Sequence, residues 1–115
     1  MPTITRRRTL TFAFACSVLA TAGVARAADL EVALTIKNHR FEPTELKVPA
    51  GQRIKLVVHN QDATPEEFES HALNREKVIP GGAKATIFVG PLKPGRYPFV
   101  GEHNQTTAKG VVIAE

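Results

Sequence analysis

Sulfur-containing and indole side chains are scarce in this sequence. Its 115 residues include one cysteine, one methionine and no tryptophan. The cysteine is Cys16 and the methionine is Met1, so residues 28–115 contain neither. That part of the chain can form no disulfide, and a packed core alone must hold it together. Any metal site in it must therefore use nitrogen and oxygen ligands.

The longest apolar stretch lies near the start, where "TLTFAFACSVLATAGV" follows three arginines, Arg6–Arg8, and precedes "ARA". A basic segment, a short apolar segment and a small-x-small site are typical of a secretory signal. The alternative is a membrane anchor, but the apolar run is short for a bilayer span and polar residues follow it. We therefore predict a signal peptide over residues 1–27, cleaved before Ala28. The mature domain, residues 28–115, is expected to be secreted and not to span a membrane.

Net charge gives no support for a nucleic-acid partner. The whole chain has 15 Lys and Arg against 11 Asp and Glu. Four of the basic residues and none of the acidic ones lie in residues 1–27. The mature domain is thus formally neutral, with 11 residues of each sign. We expect no nucleic acid among its partners, because such binding depends on clustered positive charge.

Short segments of alternating apolar residues, separated by Gly and Pro turns, predict β-strands in the mature domain. Residues 53–60 place Ile54, Leu56 and Val58 on one face, and Phe41 is the predicted core anchor of a nearby connector. About seven such strands predict an all-β sandwich.

One segment has helical features instead. Near residues 64–72, Thr64 can act as an N-cap, Pro65 can occupy the first helical position, and acidic residues follow. We predict a short helical turn there, within a long polar connection. Glu66 is interpreted as stabilising the start of that turn.

The segment "YPFVGEHNQTTAKG" is similar to the last strand and metal loop of blue-copper proteins, which read Tyr-x-Phe-x-Cys-x-x-His. Gly101 stands at the position of the cysteine. "FEPTELKVPAGQRIKLVVHNQD" resembles the opening half of cupredoxin domains, and "PLKPGRYPFVGEH" with "AKGVVIAE" resembles their closing half. The resemblance covers nearly all of residues 28–115 and implies a cupredoxin-like Greek-key β-sandwich. A blue-copper site needs a cysteine thiolate and two histidines, so this domain cannot form one.

A narrower resemblance concerns "EEFES", "REK" and "GE" followed by "TAKG", which look like the EfeO-type cupredoxin-like proteins of bacterial ferrous-iron uptake systems. It implies a periplasmic protein that binds copper or iron. Its partner would be an inner-membrane iron permease or another periplasmic component of the same system.

The cupredoxin resemblance also implies that residues 67–71 and the loop 101–108 lie at the same end of the sandwich. The predicted metal ligands are Glu69, Glu102, His103, Glu67 and His71. Carboxylates with imidazole suit iron, manganese, zinc or oxidised copper, and suit cuprous copper poorly. If Glu69 and Glu102 face each other without a metal, their repulsion should raise at least one pKa. Glu76 is interpreted as an exposed ion pair with Lys77.

Three functions remain open from the sequence. The protein could carry a metal for iron uptake, act as a small copper-dependent ferroxidase, or serve as a metal-free module that docks to a membrane transporter. Hydrolase chemistry is disfavoured, because no serine lies in a nucleophile elbow and residues 28–115 have no cysteine nucleophile.

Overall fold

The structure is a computed structural model that describes residues 28–115 together with Ala15. The rest of the predicted signal peptide, residues 1–27, lies outside the described residues. Within the described part, no helix has both the length and the apolar character that a membrane span requires.

The described chain consists almost entirely of β-strands. A single 3-10 helix, Glu102–Asn104, interrupts them. The strands are β1 Leu30–Lys37, β2 Arg40–Glu42, β3 Glu45–Val48, β4 Ile54–Asn60, β5 Glu66–Ser70, β6 Arg75–Ile79, β7 Lys84–Val89, β8 Gly95–Gly101 and β9 Lys109–Ala114.

The strands form two sheets, with the orders β2-β1-β4-β7 and β3-β9-β8-β5-β6. The β1–β4 and β3–β9 pairs are parallel, and the other pairs are antiparallel. The predicted all-β sandwich is confirmed. The strand count differs, because β2, β5 and β6 lie in segments that the sequence predicted as connections.

The predicted helical turn near residues 64–72 is wrong, because β5 occupies most of that segment. Glu66, Phe68 and Ser70 are buried, whereas Glu67 and Glu69 are half-buried on the other face. This is the period-two pattern of a strand. The pairing of β5 with both β6 and β8 provides backbone hydrogen bonds that a single helical turn cannot match.

Three phenylalanines fill the core between the sheets. Phe41, Phe68 and Phe99 are all at most 1% exposed. The rings of Phe41 and Phe99 meet edge to face with centroids 4.9 Å apart, and those of Phe68 and Phe99 stack at 5.1 Å. Both geometries are favourable for aromatic pairs. Phe41 is therefore the core anchor that the sequence predicted, and Phe68 fixes the middle of β5.

The buried Asn60 side chain fixes the approach to β5. Its Nδ2 donates to the carbonyls of Thr64 and Ile79, at 2.9 and 3.1 Å, and its Oδ1 accepts from the N–H of Asp62. These bonds join the end of β4 to the segment before β5 and to the end of β6. These bonds hold the start of β5 in place without any contribution from the candidate site residues.

Candidate metal centre

Strand β5 carries the first part of the candidate site on its outer face. The side chains of Glu67 and Glu69 are 21% and 18% exposed. In the neighbouring strand β6, Glu76 lies directly opposite Glu69. On the other side, Phe68 pairs with Gly101, the last residue of β8, so the 3-10 helix begins beside β5. Three elements thereby bring acidic side chains to one place.

We call Glu67, Glu69, Glu76 and Glu102 the carboxylate cluster. Glu67, Glu76 and Glu102 each offer one carboxylate oxygen, and these three oxygens lie within 4.8 Å of one another. An open cleft of about 340 Å³ adjoins the cluster, with Glu69, Glu76 and Arg75 among its lining residues. Within residues 28–115, no lysine or arginine forms an ion pair with any member of the cluster.

The crowding of like charges changes the acidity of two members. A hydrogen bond with the Glu76 side chain is the main cause that raises the pKa of Glu67, followed by desolvation and the charge of Glu102. A hydrogen bond with Glu102 is the main cause that raises the pKa of Glu69, again followed by desolvation. Carboxyl groups that share a proton in this way titrate as a pair. The raised pKa predicted for a facing Glu69 and Glu102 is confirmed at Glu69.

His103 stands at the edge of the cluster in an orientation that suits a metal ligand. Its Nδ1 lies 3.1 Å from the carbonyl oxygen of Pro65. A carbonyl only accepts, so Nδ1 is the protonated nitrogen in this hydrogen bond. Nε2 then has its lone pair free in the neutral ring, and it lies 3.9 Å from Oε2 of Glu67. Metal-binding histidines are commonly held through their other nitrogen in this manner.

His71 is placed differently. Its Nε2 lies 3.2 Å from Oε1 of Glu69, but its side chain is 96% exposed. Attraction to His71 opposes the rise in the pKa of Glu69. The structure thus brings Glu67, Glu69 and Glu102 together with His103 nearby, and leaves His71 in solvent beside one of them. The assignment of these five residues as ligands stays a prediction.

Glu76 was not among the predicted ligands, and its interpretation as an ion pair with Lys77 is wrong. Adjacent residues of a strand point to opposite faces. Glu76 faces Glu69, whereas Lys77 pairs with Phe68. The available signal was the spacing of "EEFES" and "REK", which places the two glutamates opposite each other once these segments form a hairpin.

The predicted role of Glu66 at the start of a helical turn in its own segment is wrong, because Glu66 lies on the inner face of β5 and is only 2% exposed. Its Oε1 accepts the backbone N–H groups of Glu67 and His103, both at 2.9 Å. Its Oε2 accepts Nδ2 of Asn104 at 2.8 Å. A buried carboxylate is tolerated when donors surround it, and Glu66 has three.

The loop after β8 does not fit a blue-copper centre. Counting along Cys-x-x-His from Gly101 places Asn104 at the position of the histidine. A Cβ atom added to Gly101 would lie 2.7 Å from Cδ and 2.9 Å from Oε2 of Glu66, which is closer than packed atoms allow. The Glu66 carboxylate therefore fills the space into which a side chain at position 101 would extend. The carboxylate cluster with His103, by contrast, offers oxygen and nitrogen donors that suit iron, zinc, manganese or Cu(II).

One known protein is similar to this chain in sequence. An uncharacterized protein of Rickettsia prowazekii (strain Madrid E) is 48% identical over 84 residues, which cover 73% of this chain and 67% of that protein. Its name assigns no activity.

Two solved structures show the same fold. Auracyanin A, a blue copper protein from Chloroflexus aurantiacus, superposes with a TM-score of 0.67 at 14% identity, covering 76% of this chain and 100% of that one. A chain of a heme-copper terminal oxidase dimer gives a TM-score of 0.63 at 21% identity, covering 76% of this chain and 65% of that chain. Finally, the profile of the cupredoxin-like domain family matches residues 9–114. The chain belongs to the cupredoxin-like domain family.

Proposed function

We propose that this protein binds a metal ion, iron or copper, at the carboxylate cluster with the help of His103. The observation that carries the proposal is the convergence of three carboxylate oxygens from β5, β6 and the 3-10 helix within 4.8 Å. Like charges are costly to gather, and the raised pKa values of Glu67 and Glu69 express that cost. A cation removes the repulsion and supplies the partner that these groups lack.

In this proposal Glu67, Glu76 and Glu102 supply oxygen donors and His103 supplies Nε2. The hydrogen bond from Nδ1 to Pro65 keeps the ring oriented toward the cluster. Binding displaces the protons that the carboxyl pairs share, so affinity falls as the pH is lowered. The donors suit Fe(II), Fe(III) and Cu(II), and the bound ion would supply redox or Lewis-acid chemistry at this surface.

The proposed setting is the periplasm. It is supported by the basic and apolar N-terminal segment with its "ARA" site and by the resemblance of "EEFES" and "REK" to EfeO-type proteins. The proposed role is accessory to iron uptake, with an inner-membrane iron permease or another periplasmic component as the partner. The cluster lies at the surface beside an open cleft, which allows a partner to reach the ion.

Calorimetric titration of the purified, chelator-treated protein with Fe(II) under anaerobic conditions, Cu(II), Zn(II) and Mn(II) tests the proposal. We expect binding of iron or copper in the micromolar range, about 8 kcal/mol. The double variant Glu67→Gln/Glu102→Gln should lose it. Glu31→Gln/Glu45→Gln is the matched control, because these two exposed glutamates lie elsewhere on β1 and β3. Binding no tighter than millimolar, or equal loss in both double variants, would contradict the proposal.

A metal carrier and a ferroxidase give different results in one further assay. Oxygen consumption is measured with excess Fe(II), with and without one equivalent of Cu(II). A carrier binds Fe(II) without catalytic turnover. Repeated copper-dependent turnover, lost in Glu67→Gln/Glu102→Gln, would assign the protein as a ferroxidase instead.

A further inference from the structure

The 3-10 helix that carries Glu102 and His103 depends on a group outside itself. It has three residues, and its N-cap residue, Gly101, provides no side-chain hydrogen bond. An isolated turn of this length is unstable in water, because nucleating a helix fixes several dihedral angles for one bond. Its first-turn N–H at His103 is instead bound by the Glu66 carboxylate from β5, at 2.9 Å. Glu66 thus acts as a cap supplied by another strand.

The same carboxylate also forms a hydrogen bond with the last residue of the turn. Its second oxygen accepts Nδ2 of Asn104 at 2.8 Å. The backbone carbonyl of Asn104 in turn accepts the N–H groups of Thr107 and Ala108, which continue the loop toward β9. One buried side chain therefore fixes both the beginning and the end of the segment 102–104.

At position 101, the Glu66 carboxyl occupies the space that a larger side chain would need. The blue-copper pattern puts a metal-binding cysteine there, and this chain has Gly101, whose missing side chain leaves room for Glu66. The pattern puts a histidine at position 104, and this chain has Asn104, which donates to Glu66. The two departures from the pattern converge on one carboxylate, which is 2% exposed.

We propose that Glu66 is a positioning residue that holds the segment 102–104 against β5, so that Glu102 lies within the carboxylate cluster and His103 lies at its edge. The metal-binding part of this inference rests on the proposed function. The physical advantage is preorganisation: a loop that is already fixed pays little ordering entropy when the ion binds. Glu66 fixes the loop from the inner face of β5, and the ion would bind on the outer face.

The test compares Glu66→Ala and Glu66→Gln with Ser70→Ala. Ser70 is the matched control, because it is also buried on the inner face of β5 and its Oγ makes two hydrogen bonds, to Pro98 and Leu73. Ser70 makes no contact with the segment 102–104 through these bonds. Its loss should destabilise the protein without moving the loop.

Two readouts are taken on the full-length protein under conditions where each variant is folded. The first is amide hydrogen exchange of His103 in the metal-free protein. The second is the affinity for Cu(II) or Fe(II). We expect Glu66→Ala to lose protection of the His103 amide and to bind about 10- to 100-fold more weakly, as is usual when a supporting group of a metal site is removed.

Glu66→Gln should restore most of both properties. Its carbonyl oxygen can accept the two backbone N–H groups, and the Asn104 amide can turn to accept from its NH₂ group. Ser70→Ala should leave both readouts at the wild-type level.

The inference is overturned if Glu66→Ala keeps the protected His103 amide and the wild-type affinity, or if Ser70→Ala weakens binding as much. A wild-type protein that binds none of the ions contradicts the proposed function and the metal-binding part of this inference. The exchange comparison in the metal-free protein then decides the anchoring role by itself.

Discussion

Glu66 and Glu67 are neighbours in the chain, yet the pleat of β5 gives them opposite surroundings. Glu66 points inward and meets three hydrogen-bond donors. Glu67 points outward and meets Glu76, Glu102 and Glu69, which raise its pKa. The inner carboxylate has three hydrogen-bond donors, whereas the outer one forms no ion pair with a lysine or arginine of residues 28–115. One residue type can thus anchor a loop from one face of a strand and, in the proposed function, bind a metal ion from the other.

The same substitution should lower the free energy of unfolding on the inner face of β5 and not on its outer face. Glu66→Leu leaves three part-buried donors without their partner, and an unsatisfied buried donor costs about 1–3 kcal/mol, so we expect a loss of about 3 kcal/mol. Glu67→Leu removes repulsion and should not lower the free energy of unfolding of the metal-free protein at neutral pH. Urea denaturation of both variants measures the difference. Equal losses would show that the two faces are not distinct.

Crowding at Gly101 should give the next largest effect. Gly101→Ala places a methyl group against the Glu66 carboxyl and the Ala108 side chain. We expect destabilisation of about 1–3 kcal/mol from overpacking. The backbone of Gly101, at φ −89°, suits any residue, so the loss is steric.

Gly95→Ala is the control for that change, because its added Cβ meets Tyr97 at 3.7 Å, an ordinary contact. Urea denaturation compares the two alanine variants. If both are equally stable, Glu66 does not occupy the space beside position 101.

The outer face should make the metal-free protein less stable as the pH rises. The pKa values of Glu67 and Glu69 are raised above the ordinary 4.5, so the folded protein binds more protons than the unfolded chain just above that pH. The free energy of unfolding therefore falls as the pH rises through the raised pKa values, and the destabilisation is complete only above them. The pKa of Asp62 is lowered, because its carboxylate accepts the N–H groups of His39 and Asn38. Its contribution to the free energy of unfolding is lost only when the pH falls below the ordinary pKa of 3.8, so it does not affect the slope above pH 4.5.

Thermal unfolding at a series of pH values above 4.5, at low ionic strength, measures this slope. Glu67→Gln/Glu69→Gln should flatten it, and one equivalent of bound metal should reverse the loss at neutral pH. An unchanged slope in the double variant would place the titrating groups elsewhere.

The smallest expected effect is the difference in metal affinity between variants of His103 and His71. His103→Ala removes a ring that the Pro65 carbonyl orients toward Glu67. His71→Ala removes a side chain that is 96% exposed. We expect a clear loss of metal affinity for the first and almost none for the second. Equal losses in calorimetric titration would make His71 a ligand as well.

Much of the fold was readable from the sequence. Ile54, Leu56 and Val58 alternate with less buried residues in β4, and all three are buried as predicted. Phe41 is the core residue that its connector required. These predictions succeed because apolar periodicity directly reflects burial.

The site residues could be predicted only in part, because the sequence of β5 shows no alternation of apolar and polar residues. Four of the five residues in "EEFES" are polar, so alternation of apolar residues cannot reveal a strand. Carboxylates are rarely buried without a partner, and nothing local to Glu66 indicates that two of its three donors come from residues 103 and 104. The position of Glu76 opposite Glu69 depends on the pairing register of β5 with β6. That register is a property of the sheet and cannot be read from either segment alone.

Localisation of a paramagnetic ion on the protein tests the central claim most directly. Substoichiometric Mn(II) is added to the ¹⁵N-labelled protein, and the loss of amide signals is mapped by NMR. We expect selective broadening around Glu67, Glu76 and Glu102, and we expect Glu67→Gln/Glu102→Gln to abolish it. Broadening confined to another part of the sandwich, or no localised broadening in the wild-type protein, would contradict it.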